Sequence, residues 1–391
     1  MATGSGVDAG VVTAGSFRLD VRCWRVDYDG LLAADWSDWL VVEGCSVERV
    51  SCDTFDPLTA RLYFAAEPAF LVALEAAGGW SRVRLRLEVR VVSLEGAGSS
   101  GWFGLGVLAP VAPVVLADQV PPVFSVDCHD LVHGLATPTG QSLSVPAGTA
   151  LGSAIDGFFA GVSRFRPVPI RRAAVLSDLA TPTLTSRQWL LDDSTTWLGV
   201  IDQLLESAGW LPPFTDEYGL LSSRPYRSPG AGAADLVLTD DSESSVVGLG
   251  AKLSVETYGV PNQFVFYSSN VGAGVVSPVE GAGVVYRTNQ SVGDSSVNAR
   301  GWDLVAVFEV DAADQAALEA YADRVFVELV SPARSLCVSV APQPLPWHRG
   351  TVDVSLAGLG IEAERFLVRS WVLPLDGRDA SLVLDSVAGL T

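Results

Sequence analysis

The sequence predicts a mainly β protein with α+β parts, divided into several domains, and three observations lead there. Two long runs alternate with period 2. In residues 17–23, Phe17, Leu19, Val21 and Cys23 fall on one face, with Arg18, Asp20 and Arg22 on the other. In residues 82–92, Val83, Leu85, Leu87, Val89 and Val91 share a face opposite Arg82, Arg84, Arg86, Glu88 and Arg90. Helical stripes, by contrast, are few. The clearest is Trp197, Val200, Ile201, Leu204, Leu205 and Ala208, led by a hydroxyl cap (Ser194, Thr195 or Thr196) and stopped by Gly209. Third, 38 glycines and 22 prolines cut the 391 residues into short elements, with room for two to four domains of about 100–150 residues.

In chain order, residues 1–16 are small and polar and form a flexible N-terminal arm. Residues 17–127 form a first β domain, with further strands at 39–42, 46–52, 60–64 and 82–92 and a short helix at 70–77. Residues 101–117 are almost wholly apolar but carry Pro110 and Pro113, which marks a buried strand and connection rather than a membrane span. Residues 128–240 form a helix-hairpin middle region. A helix started by Ser144-Val145-Pro146-Ala147-Gly148-Thr149 runs to about Val162, and the Trp197 helix is followed by Pro212-Pro213 and a strand–turn–strand over 214–221. Within this region, 226–246 reads as loop or linker. Residues 241–301 form a β-rich excursion, with two β runs about Pro261-Asn262 and a Gly/Ser/Asn/Val-rich stretch over 272–301 that reads as a long mobile excursion or hairpin. Residues 302–391 form a C-terminal domain. Its helix over 311–330 has Asp311 as N-cap, and its strands lie at 335–340, 351–356, 366–373 and 381–385.

Composition narrows the function. Forty-five acids against 25 bases give a formal charge of −20, which repels phosphate backbones and argues against sequence-specific nucleic-acid binding. Lys252 is the only lysine, a compositional bias rather than a site. Five scattered cysteines make no disulfide framework and suit synthesis in a reducing compartment. The N-terminus lacks the basic and apolar regions of a signal peptide, and no membrane association is expected.

The candidate chemistry weakens on inspection. Residues 96–101, GAGSSG, match GxGxxG, but the following WFGLGVLAPVAP cannot be a phosphate-binding helix. Cys128-His129 and His133 offer an i, i+4 histidine pair on a helix, without the glutamate of HExxH or a second ligand pair at zinc-ribbon spacing; His348 is remote. There is no GxSxG for a serine nucleophile. Asp192-Asp193 and Asp240-Asp241 read as caps and turns rather than a glycosidase pair. Trp102, Trp302 and Trp347 sit near loops, where an aromatic stacks on sugar or fills an interface. The sequence therefore yields no catalytic residue, no cofactor and no metal site. The arginines of residues 82–92 remain. Either they are a solvated edge face or they are a cationic stripe offered to an acidic neighbour, which makes Arg82, Arg84, Arg86 and Arg90 candidate subunit-interface residues.

Four stretches carry a resemblance to a known family. They are VEGCSVERVSCDTFDPLTARLYF; FGLGVLAPVAP with PPVFSVDCHDLVHGL; SVPAGTALGSAIDGFFAGV with TTWLGVIDQLLESAGWLPPFTDEYGLLSSRP; and DQAALEAYADRVFVELVSPARSLCVSV with GTVDVSLAG and RFLVRSWVLPLDG. Together they resemble the tail hub (baseplate hub) or minor tail proteins of long-tailed actinobacterial phages. Residues 226–301 fall outside them. The resemblance implies tube-like β-barrel domains plus small helix-containing domains in a multi-domain hub. It implies a homotrimeric ring at the tip of the virion tail, made in the host cytoplasm. Such a ring joins the tail tube and distal tail protein to a central fibre or other minor tail proteins, and its channel passes tape measure protein and DNA. The rival readings are a carbohydrate-binding adhesin, a cell-wall hydrolase, or the distal tail protein itself.

Overall fold

The computed structural model describes residues 17–27, 30–50, 57–94, 98–118, 120–160, 186–226, 229–230, 232–240, 247–255, 259–268, 283–310, 312, 314–330, 334–346 and 350–387. The expected N-terminal arm, the helix end at 161–162, Asp241, Asp311, Trp347 and His348 lie outside the described residues.

Among the described residues, thirteen strands share one sheet. Strand β1 (Phe17–Val26) pairs with β2 (Leu32–Asp35) at its end and with β5 (Arg84–Ser93) along its whole length. The sheet continues through β6 (Phe103–Leu116), β7 (Val123–Asp130) and β4 (Leu58–Ala65) to β3 (Ser46–Val50), all antiparallel. At β3 it crosses to the far end of the chain. Ser370 to Pro374 of β19 (Ile361–Pro374) pair with Val50 to Ser46. Beyond β19 come β20 (Ala380–Ser386), β17 (Arg334–Val340) and β13 (Lys252–Val255). The first half of β19 also pairs with β18 (Thr351–Leu356), which carries β12 (Leu236–Thr239) in parallel.

The alternation of these strands puts one residue in two onto a shared core. Val47, Leu58, Leu62, Leu85 and Leu87 from the N-terminal strands join Val340, Val354, Phe366, Leu382 and Leu384 from the C-terminal ones, all fully buried. Helix α1 (Pro68–Ala76) docks on this sheet through Phe70, whose ring stacks on Phe64 with centroids 5.5 Å apart and meets Trp36 edge-on at 5.3 Å. Pro110 and Pro113 sit within β6 at little cost. Its ladder with β5 ends at Leu108, and its register with β7 shifts between Pro110 and Ala112, so the prolines lie on an edge.

A second core belongs to the middle region. A 3-10 turn (Leu131–Ala136) leads to β8 (Leu143–Val145), α2 (Leu151–Ala160), β9 (Arg187–Trp189), α3 (Trp197–Ser207) and a hairpin of β10 (Phe214–Thr215) with β11 (Leu221–Ser222). Of the three candidate caps of α3, Thr196 serves: its hydroxyl accepts from the Gly199 N–H at 3.0 Å. Trp197, Val200, Ile201, Leu204 and Leu205 are at most 1% exposed, and Gly209 takes the left-handed φ of +72° that ends the helix.

A third core holds β14 (Gln263–Tyr267) between antiparallel β15 (Val284–Thr288) and parallel β16 (Val305–Glu309), with the short α4 (Val297–Arg300) before β16 and α5 (Gln315–Val330) after it. Segments 241–301 and 302–391 thus meet in one small sheet. The α5 cap described by the structure is Asp314, whose carboxylate accepts from Ala317 N–H at 2.8 Å.

Three elements differ from the sequence reading. The stretch 39–42 is not a strand: Ser37–Trp39 is a 3-10 turn, fixed by the Asp35 carboxylate accepting from Ser37 N–H, and Leu40 makes a lone bridge to Phe64. The 226–246 linker contains β12, a four-residue strand stabilised by its distant neighbour β18. The stretch from 272 contains β15 and α4.

One buried polar cluster ties the middle region to the sheet. Arg49 of β3 is fully buried, and its Nη2 lies 3.5 Å from the Thr215 carbonyl oxygen of β10. The Thr215 hydroxyl donates to Asp130 Oδ1 at 2.6 Å, and the same oxygen accepts from Val132 N–H at 3.0 Å. Burial lowers the Arg49 pKa to about 10, opposed by Asp130 and Asp216, and burial raises that of Asp130 against the pull of Thr215 and Arg49. A raised folded pKa means that Asp130 favours folding below its unfolded value of about 3.9 and loses that contribution as pH rises through the folded one. Removing Arg49 should raise the Asp130 pKa further. Arg49→Met is therefore expected to cost about 3–5 kcal/mol at neutral pH, with the loss shrinking on acidification as Asp130 takes up a proton; denaturant melts at several pH values measure this. Trp197→Ala should cost about 3–5 kcal/mol by the same melts, because it empties the centre of the second core.

Candidate interaction face

The arginine-bearing strand has a physical setting that its sequence does not display. β5 lies between β1 and β6, so it is interior to the sheet and its charges are not an edge device. Its apolar face is core as expected, with Leu85, Leu87, Val89 and Val91 fully buried. The opposite face forms a cross-strand ladder in which Asp20 pairs with Arg90, Arg22 with Glu88, and Trp24 with Arg86.

Each arginine meets a different fate. Arg90 donates twice to Asp20 Oδ2, from Nε at 2.9 Å and Nη2 at 2.8 Å, and its guanidinium lies 4.8 Å from the Trp102 ring. Arg22 lies 3.9 Å from the same ring, which gives Trp102 a role within this chain as a platform for cations. Arg86 pairs with Glu88 at 2.6 Å, and Glu88 also accepts from the Trp24 indole at 3.1 Å. Arg84 is 6% exposed. Arg82 departs from the alternation: it ends a 3-10 turn (Trp80–Arg82), and its stem packs where a side chain on Gly78 would be, 2.7 Å from an ideal Cβ. It is the exposed member of the four.

The middle hairpin covers part of this face. Asp216 accepts from the N–H groups of Tyr218 and Leu220, both at 2.9 Å, and Gly219 takes φ +74°, which closes the turn. The turn then seats against β6 where side chains are small. An ideal Cβ on Gly104 would lie 2.9 Å from Glu217 Cβ, and one on Gly219 would lie 2.7 Å from Val107 Cβ. Tyr218 places its ring 4.6 Å from the Arg86 guanidinium. The Asp216-Glu217-Tyr218-Gly219 turn is thus a docking device within the chain.

The other sequence candidates separate. Cys128 faces the core, His129 lies on β7 rather than on a helix, and His133 lies in the 3-10 turn; the two imidazole centroids are 4.6 Å apart. Among the described residues no group of three His, Cys, Asp or Glu side chains is placed to hold a metal ion. Burial raises the thiol pKa values of Cys23, Cys45 and Cys128, which leaves them protonated at neutral pH. Asp192 accepts from both N–H and hydroxyl of Ser194, a turn cap whose bonds hold its carboxyl below the usual range. Among the described residues no helix is long and apolar enough to cross a membrane. Sequence reading missed the Arg49–Asp130–Thr215 cluster. The signal was present, because alternation in Ser46–Val50 places Arg49 on the same face as the buried Val47.

No family model and no curated protein matches the chain. Solved structures do. The tail protein from Neisseria meningitidis MC58 is 13% identical with a TM-score of 0.60, over 95% of this chain and 97% of that one. The 43 kDa tail protein of prophage MuSo2 from Shewanella oneidensis is 12% identical with a TM-score of 0.55, over 94% and 98%. Prophage tail protein gp18 from Listeria monocytogenes EGD-e is 12% identical with a TM-score of 0.54, over 94% of each chain. At this identity the likeness is one of fold, and it runs through almost the whole chain: the mainly β architecture is that of these tail proteins.

Proposed function

We propose that this protein is a structural component of a phage-type tail, and within that class a hub subunit. The observation that carries the reading is the end-to-end match of the whole multi-part fold to tail proteins of similar length. Agreement over a single β domain would say far less. In this reading three copies form a ring at the tail tip. The ring meets the tail tube and distal tail protein on one side and a central fibre or other minor tail proteins on the other. The chain has no catalytic role; it provides a wall.

The electrostatics support a channel that passes tape measure protein and DNA without holding them. Arg86 and Arg90 spend their charge on carboxylates of the same chain, against a formal charge of −20. A trimer would carry about three times that charge, so acidic and small polar side chains on the lumen repel phosphates over a Debye length of about 8–10 Å.

Sedimentation equilibrium of the purified chain tests the ring: a trimer is expected, and a monomer at all concentrations would overturn it. The arginines give a second expectation. Arg82→Glu should weaken assembly, more at low salt than at high, while leaving the monomer's melting temperature near that of the parent. Arg84→Glu, at a buried position, should lower the melting temperature itself. If Arg82→Glu assembles like the parent at every salt concentration, Arg82 is a solvated side chain and the subunit contact lies elsewhere.

A further inference from the structure

The large sheet contains one five-stranded unit twice. In the first unit β3, β4, β7, β6 and β5 lie side by side; in the second β13, β17, β20, β19 and β18 do, and every ladder in both is antiparallel. β6 and β19 are each fourteen residues long. Their irregularities coincide as well. β6 shifts register against β7 between Pro110 and Ala112, and β19 shifts against β20 between Val368 and Ser370. The row of partners beside each shift has the same course: Val47–Ala60–Cys128–Pro110 in the first unit, Leu253–Leu336–Leu384–Val368 in the second. Aligned on these rows, Trp371, Val372 and Leu373 of β19 correspond to Pro113, Val114 and Val115 of β6, and Val47 and Glu48 of β3 correspond to Leu253 and Ser254 of β13.

The two units differ in what lies beside the far half of the long strand. In the second unit β3 covers it, pairing Trp371 with Arg49, Val372 with Glu48 and Leu373 with Val47. Trp371 and Leu373 are at most 3% exposed there. In the first unit the ladder with β5 ends at Leu108, and among the described residues no strand lies beside 112–116 on that side. Val114 and Val115 are 55% and 52% exposed. The other open edge is β13, the counterpart of β3. Val47 is fully buried in the seam, whereas Leu253 is half-buried and Val255 is exposed. Six strands separate β13 from β6 in the sheet. One chain therefore carries both sides of a second seam at places that are not neighbours within it.

We propose that the far half of β6 pairs with β13 of a second copy of this chain, in the register of the β3–β19 seam. Val114 then faces the partner's Ser254, and Val115 faces the partner's Leu253. Pro113 faces the partner's Val255, the last residue of β13, so its missing N–H falls at the end of the ladder. The contact is head to tail: each copy offers one edge and receives the other, and a ring forms when the rotation between copies closes. It also removes two edges that would otherwise recruit strands unselectively. The proposal deepens the hub reading and rests on it only for the number of copies, three.

The test is oxidative cross-linking of the full chain in a Cys52→Ser, Cys337→Ser background, since Cys337 is exposed. Val114→Cys and Ser254→Cys both alter exposed positions. Mixed together, the two single variants should give disulfide-linked dimers, and each alone should give none. The double variant should give covalent trimers. Val114→Cys with Lys252→Cys, two residues out of register, should give a weaker product, because diagonal neighbours lie farther apart. Glu48→Cys with Val372→Cys, the equivalent pair of the seam, should close within one chain and so calibrate the geometry. Sedimentation of the unoxidised protein separates the contact from the hub. A trimer that the double variant fails to trap would overturn the contact and leave the hub standing, and dimers from either single variant alone would replace the contact with a two-fold one. Covalent ladders running past three would uphold the contact and overturn a three-copy hub. Monomers that do not cross-link would overturn both.

Discussion

The five-residue strand β3 sets the frame of this molecule. On one side it pairs with β4 and on the other with β19, so the N-terminal and C-terminal strands form one sheet instead of two facing edges. Without that seam, both halves would present unpaired N–H and C=O groups, which invite pairing with other chains. Arg49 adds a second constraint at the same place. It lies opposite Trp371 in the ladder, and its guanidinium reaches the Thr215–Asp130 pair, which anchors the middle hairpin. Sheet halves and hairpin are thereby fixed to one another at a single buried cation, whose desolvation is tolerated because carboxylates and a carbonyl surround it.

Charge placement follows from this packing. The strand face with the most arginines is partly roofed by the hairpin that Arg49 and Asp130 hold, and its guanidiniums are matched by Asp20, Glu88 and the ring of Tyr218. A stripe that looks cationic in sequence is largely neutralised within the fold, and the acid excess is left to the rest of the surface. In the hub proposed above, that distribution would matter more than any single site.

Much of the fold was legible in the sequence because the long strands alternate. The runs at 84–92, 351–356 and 381–385 bury one face, and period 2 reports this directly; the run at 17–23 buries Cys23 and leaves Phe17, Leu19 and Val21 half-buried. The Trp197 helix was legible for the matching reason. What escaped was stabilised from afar. β12 is four residues in a Gly- and Asp-rich stretch, ordered by pairing with β18 more than a hundred residues later. The seam joins Ser46–Val50 to Ser370–Pro374, a pairing that no local pattern specifies. At the candidate face the arginines could be read, but their partners could not: Asp20 and Arg90 are 70 residues apart and meet only once β1 and β5 pair. Arg49 was readable in principle, since an arginine on the apolar face of a strand signals a buried partner.

Native-state amide hydrogen exchange across a denaturant series tests the seam most directly. If β3 and β19 unite the sheet, the amides of β3, β4, β19 and β20 will exchange through one common, global opening, with a single free energy and a single denaturant dependence. Opening of the N-terminal strands at lower denaturant, with β17 to β20 still protected, would show two independently stable halves and contradict a frame built on β3.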